Sequence, residues 1–199
     1  MNLPNKLTVI RVIMVPIFLV FLTVGPLIDL LGDTAARIIA AAIFAIASFT
    51  DMLDGKIARK YNLVTDFGKF MDPLADKLLV FGALLGIVCY SHLQGAGSLF
   101  ITLFTWTAFI VMFRELAVTS MRLVIAGKSG KVIAAQWSGK VKTVTQMLGI
   151  IICMVEPIWS GYYGAPYLSY VAMAAMTFMT LYSGIEYMIA YFPLMDPNK

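Results

Sequence analysis

Four aspartates, Asp51, Asp54, Asp72 and Asp76, crowd into one short stretch of a chain that is sparing with charge. At 3.6 residues per turn, Asp51, Asp54, Gly55 and Ala58 fall within about 100° of one another, so one helix face carries two carboxylates and two very small side chains. Gly68, Asp72 and Asp76 follow an i, i+4, i+8 row and share a face of the next helix. A short connection makes the two helices antiparallel neighbours, and all four carboxylates can converge at one end. Without counter-charge they would repel and take up protons. Oxygen-only ligands select hard cations, Mg²⁺ or Mn²⁺, which bind phosphate oxygens and neutralise charge during phosphoryl transfer. Gly55, Ala58 and Gly68 let a bulky, flat ligand lie against the backbone. The pattern predicts a metal-dependent site for a nucleotide diphosphate. The plainer reading pairs Asp51 and Asp54 with Lys56, Arg59 or Lys60, and makes Asp72, which precedes Pro73, a helix N-cap. That cap would start the helix at Pro73 and leave Gly68 in a loop. The number and spacing of the carboxylates and small residues favour the metal site, with Asp72 open between ligand and cap.

A second set of chemically capable residues is basic. Arg114 and Arg122 are eight apart, about 80° on a helix wheel, so both can face one cavity. Lys140 and Lys142 approach it from the following span at the same level. Arg clasps phosphate bidentately, so a basic pocket beside a metal site suits a small phosphorylated acceptor. Flanking charge of the ordinary topological kind accounts for Lys128 and Lys131. It accounts less well for Arg114, which lies inside an apolar stretch and needs a partner, either Glu115 or a substrate.

The elements that carry these groups must sit in lipid. Of 199 residues, 60% are hydrophobic and 13% charged, and the mean hydropathy is +0.86. A soluble domain is about 25% charged, which excludes one here. Apolar runs separated by Gly, Pro, Asn and Ser clusters predict six spans, near 8–28, 35–60, 67–91, 98–126, 137–157 and 167–192. The fold expected is an all-α membrane protein, one domain over 1–199, with six transmembrane helices around a cytoplasm-facing polar cavity. Lys and Arg gather at Lys6 and Arg11, in the second and fourth connections and at Lys199. Basic residues are retained on the cytoplasmic side, so both termini and those connections are expected there. The net charge of +4 thus reports topology, and no nucleic-acid partner is expected. Arg37, at the outer end of the second span, is the exception.

The second and fifth spans have uncharged runs only over 38–50 and 143–155, shorter than the roughly 20 residues a crossing needs. Their charged ends must therefore be helix, and charges at that depth mark function. Cys89 and Cys153 show no metal-ligand spacing and read as packing residues. Gly82 and Gly86 form a small-xxx-small pair suited to close helix packing. Trp159, Tyr162, Tyr163 and Tyr167 read as an outer-interface belt, and His92 as a solvated loop residue. No cleavage site follows the first run, so no removable signal is expected.

The stretch D-x2-D-G-x2-A-R-x8-G-x3-D-x3-D, from Asp51 to Asp76, resembles the signature of the CDP-alcohol phosphatidyltransferase family without a departure. The resemblance implies six transmembrane helices, a divalent-metal site holding two Mg²⁺ or Mn²⁺ ions, release of CMP from a CDP-linked lipid, and a homodimer. Carried over by position, it implies Asp51, Asp54, Asp72 and Asp76 as metal ligands, with Asp76 also the base that deprotonates the acceptor hydroxyl. It implies Gly55, Ala58 and Gly68 as the cytidine-side wall, and Arg59 as a phosphate or structural partner. The start from Asn2 to Arg11, the Arg114-Glu115 to Arg122 stretch and Gly139 to Gln146 resemble the branch that makes phosphatidylglycerol phosphate. That likeness implies Asn5, Thr8 and Arg11 as nucleotide or phosphate binders; by themselves they read as a capped, interfacial helix start. It also implies CDP-diacylglycerol and glycerol 3-phosphate as substrates; the expectation of a bacterial plasma membrane comes instead from the compact size and from reading no targeting segment. Two alternatives stand beside this reading. Within the family, the acceptor could be an inositol compound, serine or phosphatidylglycerol. From another class, the acidic cluster could serve a divalent-cation transporter, but such sites lie near the midplane, often between repeated halves, and no repeat is visible.

Overall fold

In a computed structural model, described over residues 2–60, 65–129, 137–160 and 166–191, eight helices run in the order α1 (Leu3–Thr23), α2 (Gly25–Leu31), α3 (Asp33–Lys60), α4 (Asp66–Leu93), α5 (Ser98–Ser129), α6 (Trp137–Val155), α7 (Pro157–Ser160) and α8 (Tyr167–Tyr191). No strand occurs among the described residues. Six of the helices are long and apolar enough to cross a membrane, as the apolar runs predict. The chain differs from expectation at the end of the first span. There α1 stops at Thr23, and Pro26, in the first turn of a new helix, starts the seven-residue α2. Gly32, at φ +82°, ends α2 in a conformation that suits glycine.

The charged ends of the second and fifth expected spans are helical. The apolar stretch of α3 ends at Asp51, yet the helix runs on to Lys60. Its 28 residues are long compared with a hydrocarbon core of about 30 Å at about 1.5 Å per residue. Likewise α6 includes Lys140 and Lys142.

The helices pack as two triplets. In one, α1 lies against both α3 and α4; in the other, α8 lies against α5 and α6; α3 with α6 and α4 with α5 join them. The contact of α1 with α4 is tight because of Gly82 and Gly86. A Cβ at Gly82 would come within 2.9 Å of Val15 Cγ1, and one at Gly86 within 2.9 Å of Leu19 Cδ2 and Leu22 Cδ1. Phe18 and Phe44 meet edge to face between α1 and α3, with ring centroids 6.1 Å apart. Gly149 gives Met176 its place between α6 and α8. Ile10, Ile13, Ile17 and Val20 form an exposed apolar stripe on α1, the expected face toward lipid. Cys153 is buried as a packing residue, but Cys89 is exposed and fills no core position.

The bundle end opposite the aspartates handles its own charges. Arg37 is buried, pairs with Asp33 at 3.2 Å and lies over the Tyr90 ring at 4.7 Å. Tyr90 donates to Asp33. The exceptional arginine is therefore internally partnered and clamps α3 to α4. Glu156, also buried, accepts from the backbone N–H groups of Leu168 and Ser169, where an anion suits the first turn of α8. Trp159, Tyr167 and His92 are exposed at this end; Tyr162 and Tyr163 lie outside the described residues.

Candidate active site

The N-terminal turns of α1 are the keystone of the acidic site. Asn5, Thr8 and Arg11 recur every three residues, and all three are buried. Arg11 Nη1 pairs with Asp51 Oδ1 on α3 at 2.6 Å, and Thr8 Oγ1 donates to Asp72 Oδ1 on α4 at 2.7 Å. One helix thus holds two carboxylates that stand on different helices. Asn2, outside α1, caps it by accepting from the Asn5 N–H, which leaves the Asn5 side chain to work elsewhere. Its Oδ1 accepts from Thr65 Oγ1 at 3.0 Å.

Thr65, not Asp72, is the N-cap of α4: its Oγ1 accepts from the Gly68 N–H at 3.0 Å. The Asp-Pro reading of a helix start is thereby corrected. Pro73 lies inside the helix, because the Thr65 cap begins α4 earlier and the loss of one backbone bond at proline does not stop it. Asp72 is free of capping duty and Gly68 is helical, as the metal-site reading requires. Gly68 packs closely; a Cβ there would meet Asn5 Oδ1 at 3.1 Å and Asp72 Oδ2 at 3.7 Å.

Asp76, one turn beyond Asp72, is partly buried. Asp54, Gly55, Ala58 and Arg59 stand on the last turns of α3, and their side chains lie outside the described residues, as does that of Lys69. Among the described residues no three His, Cys, Asp or Glu side chains cluster closely enough to hold one ion. The donor chemistry nonetheless fits a hard divalent cation: the carboxylates are oxygen donors, and Arg11 and Thr8 orient two of them as outer partners orient ligands in metal sites.

The second triplet carries the basic groups. Glu115 on α5 pairs with Lys142 on α6, and the same oxygen, Oε1, lies 3.5 Å from Nη1 of Arg114. Arg114 fits because Gly184 on α8 has no side chain, a Cβ there falling 3.1 Å from Arg114 Cγ. Arg114 Nε is buried with no hydrogen-bond partner among the described residues. Arg122 is more exposed; its Nε donates to the Tyr187 hydroxyl at 3.1 Å, and its guanidinium lies 5.1 Å from that ring's centroid. Lys142 feels the charges of Arg114, Asp76 and Lys77, and Arg122 acts on both Arg114 and Lys77. The acidic and basic groups are thus within electrostatic range of one another at Asp76, Lys77 and Lys142, where α4 packs on α6. Lys140 is not brought in: two residues from buried Lys142, about 200° around the helix, it is exposed.

Sequence reasoning missed Gly184 and Tyr187; it offered Glu115 as a partner for Arg114, which the 3.5 Å contact bears out, but not for Lys142. Nothing local in the sequence distinguishes a glycine and a tyrosine late in an apolar span; their roles arise when α8 packs on α5. An apolar groove of about 340 Å³ also opens between α5 and α8, lined by Leu103, Thr107, Tyr170, Met173, Thr177 and Phe178, and carries none of the site's charged groups.

Comparison with known proteins sets this geometry in context. Residues 1–182 match the family model described as CDP-alcohol phosphatidyltransferase. A Bacillus subtilis (strain 168) protein named "CDP-diacylglycerol--glycerol-3-phosphate 3-phosphatidyltransferase" is 39% identical over 193 residues, covering 94% of this chain and 93% of its own. A Mycobacterium tuberculosis (strain CDC 1551 / Oshkosh) protein named "Probable phosphatidylglycerophosphate synthase" is 38% identical over 187 residues, 94% of this chain and 79% of its own. A Salmonella typhimurium protein with the same name as the Bacillus one is 36% identical over 192 residues, covering 95% and 94%.

Proposed function

The chain belongs to the CDP-alcohol phosphatidyltransferase family, and from that premise we propose that it transfers a phosphatidyl group from CDP-diacylglycerol to sn-glycerol 3-phosphate, giving phosphatidylglycerol phosphate and CMP. As a member it is an integral membrane enzyme of phospholipid biosynthesis. The observation that carries the acceptor is the buried cluster of Arg114, Lys142 and Glu115 with Arg122 beside it, within electrostatic reach of Asp76. A dianionic phosphate has a use for that cluster; an uncharged alcohol does not. The names of the relatives support the same acceptor.

In this reading Asp51, Asp54, Asp72 and Asp76 hold two Mg²⁺ or Mn²⁺ ions, which when bound neutralise charge on the diphosphate. Thr8 and Arg11 act as positioning residues, fixing Asp72 and Asp51 rather than gripping the nucleotide. Gly55, Ala58 and Gly68 form the wall for cytidine, with Asn5 beside Gly68. Arg114, Arg122 and Lys142 hold the acceptor phosphate, and Asp76 takes the proton from the acceptor hydroxyl as it attacks the phosphorus next to the lipid. The bond from that phosphorus to the CMP oxygen breaks, and CMP leaves. The site opens through a polar cavity to the cytoplasm, with both termini on that side of a bacterial plasma membrane, and the enzyme works as a homodimer.

The purified protein, given labelled CDP-diacylglycerol and glycerol 3-phosphate, should release CMP in Mg²⁺ or Mn²⁺ and none after EDTA. Failure with glycerol 3-phosphate, together with release on an inositol compound, serine or phosphatidylglycerol, would move the assignment to another acceptor.

A further inference from the structure

We propose that Glu115 is a positioning residue for the acceptor phosphate, joining Lys142 and Arg114 into one two-pronged clamp. The proposal rests on the reading that a phosphorylated acceptor enters this pocket. A single carboxylate oxygen serves both cations: Oε1 pairs with Lys142 Nζ on α6 and lies 3.5 Å from Arg114 Nη1 on α5. All three side chains are largely buried, at 15% exposure for Glu115, 13% for Arg114 and 6% for Lys142. Lys142 and Arg114 repel each other, and Arg122 adds to the repulsion on Arg114. In a site of low dielectric an anion between the two cations offsets that repulsion.

The geometry makes Glu115 a spacer between helices as well as a counter-charge. Neighbours on a helix point about 100° apart, so Glu115 reaches α6 while the Arg114 stem lies in the gap at Gly184 on α8. The separation of the two cations across the α5–α6 boundary is thereby set by one carboxylate. A buried ammonium that loses the carboxylate paired with it is strongly disfavoured, so removing Glu115 costs the clamp the Lys142 prong. Glu115 itself, as an anion, does not touch the phosphate. The buried Nε of Arg114, without a partner among the described residues, leaves that prong donor capacity for a ligand.

The opposing outcome is equally concrete. Were Glu115 a plug occupying the phosphate's place, its removal would tighten phosphate binding. The test measures CMP release by the full-length protein in detergent, with KM for each substrate and inhibition by inorganic phosphate, for Glu115→Gln, Glu115→Asp, Lys142→Gln and the double variant Glu115→Gln/Lys142→Gln. Glu115→Gln should raise KM for glycerol 3-phosphate about tenfold or more, leave KM for CDP-diacylglycerol within about twofold, and weaken inhibition by phosphate. Glu115→Asp should recover part of the loss, and the double variant should be no worse than Lys142→Gln, since Glu115 acts through that residue. An unchanged KM for glycerol 3-phosphate, equal rises for both substrates, tighter inhibition by phosphate or additive losses would overturn the proposal. If Glu115→Gln does not assemble, Glu115→Asp against wild type supplies the same comparison: a rise confined to the acceptor supports the role, and no rise removes it. If the wild type releases no CMP with glycerol 3-phosphate, the acceptor assignment falls separately. The role of Glu115 is then decided by phosphate inhibition with whichever acceptor works: weaker inhibition of the variant retains it, and equal or tighter inhibition removes it.

Discussion

Thr8 shows what a single hydroxyl does in this site. It is fully buried and donates to Asp72, and outer partners of this kind are worth about 10–100-fold in metal affinity or activity. Thr8→Val keeps the shape and removes the donor. It should raise the Mg²⁺ concentration needed for half-maximal CMP release by about tenfold or more, while saturating metal restores much of the rate. An unchanged metal titration would show that the bond does not tune the ligand. Asp76→Asn is a different loss. It retains size and removes the proposed proton acceptor, so turnover should vanish while binding of CDP-diacylglycerol, followed by a fluorescent analogue, largely persists. At this scale the spacing singles out the aspartates, and the structure sets Asp51 and Asp72 on helices that both pack against α1. Their supports are not legible from spacing. The likeness of the first residues to the family branch implies that Thr8 and Arg11 bind substrate, and it says nothing of the bonds both make to carboxylates 64 and 40 positions away.

The helices were legible because crossing lipid sets a minimum apolar length, and the short uncharged runs of 38–50 and 143–155 correctly required charged helix ends. Two ends carry competing local signals. Gly25-Pro26 reads as a break, but the run stays apolar to residue 28, so the short helix α2 that begins at Gly25 is not legible there. The span predicted from 67 agrees with the start of α4 at Asp66, and Asp72-Pro73 competes with it only as a capping signal; Thr65, the true cap, lies seven residues earlier. Gly82 and Gly86 were legible as a packing pair but not as to partner, which is α1. This gives an element-scale prediction. Gly86→Leu inserts a side chain where even a Cβ would lie 2.9 Å from Leu19 and Leu22, and overpacking costs about 1–3 kcal/mol or forces helices apart. Because α1 carries Thr8 and Arg11, the variant should lose thermal stability and most CMP release although every aspartate is intact. Full activity would show that the seam between α1 and α4 does not govern the site.

Across the whole molecule the scarce charges divide by function. Of the 26 charged residues, ten fall between Asp51 and Lys77 and seven between Arg114 and Lys142. The first group belongs to α3 and α4 of one triplet; the second, apart from Lys131, which lies outside the described residues, belongs to α5 and α6 of the other. The proposed lipid-nucleotide chemistry and the proposed acceptor recognition thus occupy different halves of the chain, and their charges come within electrostatic range at Asp76, Lys77 and Lys142. Such a division was invisible in sequence, since no repeat marks the halves and the pairing of α1 with α3 and α4 is a tertiary choice.

The turn that joins the halves, around Gln94 to Gly97 between α4 and α5, lies at the end of the bundle away from the aspartates. No group assigned to chemistry belongs to it. Two polypeptides made from separate genes, residues 1–95 and 96–199, should therefore find each other in the bilayer and restore CMP release, with neither active alone. If co-expression yields both pieces in the membrane but no enzyme, the covalent link matters more than the packing suggests. If it succeeds, either half can be exchanged for that of a relative, and acceptor choice should travel with the C-terminal piece.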